Sequence, residues 1–87
     1  MQMICHFDVT DFAIWKQAFD DDAEARRDAG LSVLQIWQHA DSSTKASVLL
    51  DVNDRKRADD WLTRSNALSS DDKGTVTSST AYFVKNA

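Results

Sequence analysis

Proline is absent from the 87 residues, glycine occurs twice and cysteine once. The lone Cys5 rules out an internal disulfide framework and fits a reducing compartment, so a cytoplasmic setting is expected. No apolar run approaches the ~20 residues of a membrane span. The opening segment, Met1 to Asp8, has neither a basic stretch nor an apolar run of the kind that marks a signal peptide, and none is expected. There is no basic block either. A net charge of −4 argues against nucleic acid or an anionic membrane as a partner. Glycine-rich phosphate loops, Cys-x-x-Cys pairs and nucleophile elbows are all missing.

What is there is an ordinary globular composition, 43% hydrophobic and 28% charged. The length supports a single domain over residues 1–87. A domain this small buries only about 60–65% of its unfolded surface and gains from a partner subunit. No repeat or linker interrupts it. The one shift in composition is the polar stretch Ser69 to Thr80, which reads as a loop running into a strand.

Hydrophobic periodicity alternates between two and 3.6 along the chain. Residues 2–8 read as a strand with Met3, Cys5 and Phe7 on one side and Ile4 and His6 on the other. A helix is expected from about Asp11 to Ala29, capped by Thr10 or Asp11 and stopped by Gly30, with Phe12, Trp15, Phe19, Ala23 and Arg26 on one stripe. Leu31–Ala40 and Ala46–Val52 read as a hairpin pair. A second helix is expected from Asp54, with Ala58, Trp61, Leu62, Ser65 and Leu68 inward, and Thr77–Lys85 closes as a fourth strand. The order β-α-β-β-α-β predicts an α+β ferredoxin-like fold: a four-stranded antiparallel sheet in the order 4-1-3-2, with both helices on one face.

The other face carries the functional question. If Ser42–Thr44 forms a three-residue loop, Ile36 opposes Leu50. Leu34, Ile36, Val48, Leu50 and Val52 then face the helices. Leu31, Val33, Gln35, Trp37, His39, Ser47, Leu49 and Asp51 face away, joined by Ile4 and Tyr82. Such an apolar patch is larger than a monomer usually exposes. At about 25 cal/mol per Å², covering several hundred Å² contributes on the order of 10 kcal/mol, against association costs of about 4–15 kcal/mol. A homodimer closed through this face is therefore expected, with Gln35, His39, Asp51 and His6 lining a cavity or rim.

The segments Val9 to Phe19, Gly30, Leu34 to Asp41 and Leu49 to Asp54 together resemble the dimeric α/β-barrel superfamily, and within it cyclase-like relatives of the antibiotic-biosynthesis monooxygenases. The resemblance implies two ferredoxin-like subunits packed sheet to sheet and a pocket for a small aromatic or polyketide-like molecule. It implies cofactor-independent oxygenation or ring closure as the activity, with no cofactor. Haem-degrading relatives use an Asn on the first strand and a His late in the chain. This sequence has Phe7 and Asp8 near the first point and no His after His39, so haem ligation by that route is not carried over.

Among individual residues, His6 and His39 are the only side chains that ordinarily titrate near neutral pH. A general acid or base must reach its substrate within hydrogen-bond distance in a water-poor pocket. His6, on a central strand, is the better placed for that catalytic role, and His39 lies nearer the wet hairpin. The plain alternative for each is a backbone or water contact. Gln35 and Asp51 are expected as cross-strand neighbours that orient a polar group of a ligand or hydrogen-bond between subunits. Trp37 stacks on a ligand or anchors the interface, and Tyr82 offers a hydroxyl to the same cavity or is structural. The ligand is expected between sheet and helices. Cys5 reads as buried filling, and Asp20–Asp22 as a solvated face paired with Arg26 and Arg27, since consecutive helix positions point about 100° apart. No metal site is expected. A second reading is a non-catalytic dimerisation or ligand-sensing module whose polar residues are structural.

Overall fold

The computed structural model describes residues 1–63 and 76–87. The elements are β1 (Gln2–Val9), α1 (Phe12–Asp21), α2 (Ala23–Asp28), β2 (Leu31–Gln38), β3 (Lys45–Val52), α3 (Arg55–Thr63) and β4 (Val76–Val84). The strands form one antiparallel sheet in the order β2-β3-β1-β4, as the α+β ferredoxin-like expectation required. Strict alternation in β1 sends Met3, Cys5 and Phe7 into a core with Val48 and Leu50 of β3 and with Trp15, Phe19, Ala58 and Trp61 of the helices. Trp15 and Phe19 stack with ring centroids 5.1 Å apart, and Phe7 lies 5.2 Å from Trp15. Cys5 is fully buried there, and loss of hydration pushes its thiol up to about 12.

The first helix is not continuous. It breaks at Asp22, whose N–H bonds the Phe19 carbonyl at 3.2 Å. Three consecutive aspartates at a helix C-terminus oppose the helix dipole, and Asp is a poor interior helix former. The break places Asp22 and Glu24 instead at the N-terminus of α2, where negative charge is favoured. Ala23, expected on the inner stripe, is exposed at this junction. Arg26 of α2 is buried, its guanidinium 3.7 Å over the Phe19 ring. Burial lowers its pKa, with Asp22 and Asp20 pulling the other way. Asp11 caps α1 by accepting from the Ile14 N–H at 3.1 Å. Gly30 ends α2 at φ +75°, and its carbonyl accepts from the Asn53 N–H at 2.9 Å. Asp54 caps α3 through the Arg57 N–H at 3.1 Å, and Arg57 also donates to the Asp28 carbonyl. Ser65 and Leu68, expected on the inner stripe of α3, lie outside the described residues.

The hairpin differs from expectation in two ways. The His39 N–H bonds the Lys45 carbonyl at 3.0 Å, so the loop is Ala40–Thr44 rather than Ser42–Thr44, and Ile36 opposes Val48 rather than Leu50. A shift of two residues keeps each side chain on its expected face. The second difference is an irregularity between Val33 and Gln35: Leu31 opposes Val52 and Val33 opposes Leu50, whereas Gln35 opposes Leu49. Leu34 is the extra residue of this bulge and is 51% exposed. The expectation that Leu34 joins the core and Leu31 the open face is therefore reversed, and Val33 moves to the side of Leu50. The cause is parity. Leu31 and Ile36 are separated by an odd number of positions and would point to opposite faces of a regular strand; one inserted residue turns both inward.

Candidate functional site

The register lays out the helix-free face as rows across the sheet. One row runs Gln35, Leu49, Ile4, Tyr82, and the next runs Trp37, Ser47, His6, Thr80. The third contains Lys45, Asp8 and Ser78, with His39 held beside Lys45 by its backbone bond. His6 faces this side because its neighbours Cys5 and Phe7 face the core. Trp37 is 45% exposed and Tyr82 56% exposed.

Ser47 is the centre of the arrangement. It is one of two buried polar side chains among the described residues. His6 Nδ1 lies 2.8 Å from its Oγ, and His39 Nε2 lies 3.0 Å from the same atom. Around them is a broad, open concavity of about 800 Å³, lined by Ile4, His6, Trp37, His39, Lys45 and Ser47 together with the hairpin segment 38–42. Its upper edge is fixed by Asp8. The Lys45 ammonium donates to the Asp8 carboxylate at 2.6 Å and the Ser78 hydroxyl donates to it at 2.5 Å. These contacts, Lys45 first and Ser78 second, hold the Asp8 carboxyl below the usual range.

His6, Trp37 and His39 thus meet on one surface. Gln35 and Asp51 lie outside the lining of the concavity and are not paired: the five-residue hairpin loop sets Gln35 opposite Leu49, and beyond the bulge Asp51 stands opposite Ser32. The Gln35 amide donates instead to the Ile36 carbonyl at 3.2 Å. Tyr82 stands outside the lining but meets the His6 ring edge-on, with centroids 6.3 Å apart. This concavity lies on the helix-free face, on the other side of the sheet from the described core side chains. Ser47 was legible as a member of the open face, but nothing in its local sequence marks it as the link between two histidines.

Among the described residues no group of three or more His, Cys, Asp and Glu side chains gathers as for a metal, and no helix is long and apolar enough to cross a membrane. No family model matches the chain, and no curated protein matches its sequence. One solved structure is similar: a protein of Nitrosomonas europaea provisionally named an antibiotic biosynthesis monooxygenase. It aligns with a TM-score of 0.53 and 18% identity over 95% of this chain and 96% of that one. The two chains share the ferredoxin-like fold. At that identity the likeness is one of architecture, extending along nearly the whole length of both proteins.

Proposed function

We propose that the chain is a homodimeric binding protein for a small aromatic or polyketide-like molecule, with a second copy closing the helix-free face. The observation that carries this reading is the meeting of two imidazoles, a buried hydroxyl and the half-exposed Trp37 ring around one concavity of about 800 Å³. That volume is within the range of small-molecule sites. A copy seated over Trp37, Leu49, Ile4 and Tyr82 would turn an open hollow into an enclosed, largely apolar cavity with a polar floor. Trp37 is the platform for an aromatic ring. His6 is the acid or base, with its Nε2 directed away from the Ser47 bond.

The chemistry that fits is proton transfer, oxygenation or ring closure carried by the substrate's own reactivity, without a bound cofactor. The name of the Nitrosomonas europaea protein supports looking for an oxygenation first. A cytoplasmic setting belongs to the same proposal. The test is native mass spectrometry of protein purified from its own host, looking for a retained small molecule. Retention that is lost in Trp37→Ala, together with turnover of the released molecule that falls at least tenfold in His6→Ala, supports the reading. Unchanged turnover in His6→Ala removes the role given to that residue.

The alternative is a non-catalytic dimerisation or ligand-sensing module. One observation favours it: Ser47 already satisfies a nitrogen of each imidazole, as a structural hydrogen-bond network would. A retained molecule that passes through unchanged would select this second reading.

A further inference from the structure

Ser47 Oγ is within hydrogen-bond distance of two imidazole nitrogens at once, 2.8 Å from His6 Nδ1 and 3.0 Å from His39 Nε2. A hydroxyl has one proton to give and two lone pairs to offer. With both rings neutral, the two contacts are satisfied either when both rings donate to the two lone pairs of Ser47, or when one ring donates to Ser47 and Ser47 donates to the other. The second arrangement is the one that can relay a proton, and it ties the tautomers: both rings carry Nδ1–H, or both carry Nε2–H. Backbone register makes the arrangement rigid, since His6 and Trp37 are the cross-strand partners of Ser47 and His39 is pinned by its bond to Lys45.

We propose that Ser47 is a positioning residue that joins His6 and His39 into a single proton relay. The inference rests on the reading of His6 as acid or base and deepens it. A weakly acidic ligand hydroxyl, a phenol or enol, gives its proton to His6 Nε2, forming an N–H bond there. The His6 Nδ1–H bond breaks as its proton passes to Ser47 Oγ, and the proton originally on Ser47 passes to His39 Nε2. His6 ends neutral, His39 ends as imidazolium, and the ligand anion stays beside a neutral ring. The displaced charge arrives near Asp8, whose carboxylate already feels His39. The other groups facing the pair are Lys45 from β3, held by Asp8, Tyr82 from β4 against the His6 ring, and Asp41 from the hairpin.

The test is an NMR titration of the two imidazoles in the ligand-free protein, in the wild type, Ser47→Ala and Ser47→Thr. In the wild type each ring should respond in two shared steps, because each proton belongs to the pair. Above the titration range both rings should show the same tautomer. Ser47→Ala should collapse this to two independent single-step curves, and Ser47→Thr, which keeps the hydroxyl, should restore the shared steps. Single-step, unrelated curves in the wild type, opposite tautomers, or shared steps that persist in Ser47→Ala would overturn the relay. The wild-type curves decide the matter even if a variant fails to fold. Because no ligand is present, a failed relay with a molecule still retained in the native mass spectrum leaves the binding proposal standing.

Discussion

Asp8 and Lys45 stand opposite each other on β1 and β3, and their side chains close to 2.6 Å at the edge of the concavity. With Ser78 adding a second donor, the carboxylate is favoured over its protonated form in the folded chain. The folded-state pKa is therefore lower than the unfolded value of about 3.9. The resulting stability is fully present above the unfolded pKa and is lost as pH falls through the folded one. Asp8→Asn should be less stable than the wild type by a constant margin above about pH 5, narrowing below about pH 4. Urea unfolding across that range at fixed low salt measures it. A margin that does not change with pH would contradict the assignment.

The bulge at Leu34 makes neighbouring leucines unequal. Leu31→Ala removes a buried side chain and should cost about 2–5 kcal/mol, whereas Leu34→Ala at a half-exposed site should stay within about 0.5 kcal/mol. Denaturant titration at one protein concentration gives both values. A regular strand would reverse the order.

Gly30 ends α2 at φ +75°, a region that costs an L-residue about 1–2 kcal/mol. A Cβ there would meet Asn53 at 3.5 Å, an ordinary contact, so the penalty is conformational and not steric. Gly30→Ala should lose roughly that 1–2 kcal/mol, and Gly30→Asn less, because Asn tolerates the left-handed region. Thermal unfolding of the two variants tests the ranking.

Particular residues show what could be read from the chain alone. Met3, Cys5 and Phe7 alternate with Ile4 and His6, so the core and open faces of β1 follow from a period of two. Trp37 and His39 share parity with Ser47 whether the hairpin loop is three residues or five, so their shared face survives the shift in register. Leu34 defeats the same logic. An inserted residue leaves no local mark in a run of apolar positions, and only the competing demand to bury both Leu31 and Ile36 reveals it. The longer hairpin loop, which shifts the register by two, sets Gln35 opposite Leu49 and takes it out of the expected pair with Asp51. Ser47 was missed as a site residue for a different reason. Its importance comes from side chains on β1 and β2 converging on it, and that depends on the three-dimensional register.

Trp37 and Tyr82 leave roughly half their surface in water on a face that the helices do not cover, and the proposed pocket needs a second copy to close it. Sedimentation velocity of the wild type and Trp37→Glu at micromolar concentration tests this most directly. The account predicts a wild-type particle of twice the 9.8 kDa chain mass, and a Trp37→Glu variant that sediments as the single folded chain. A wild type that sediments at 9.8 kDa throughout, indistinguishable from the variant, would contradict it.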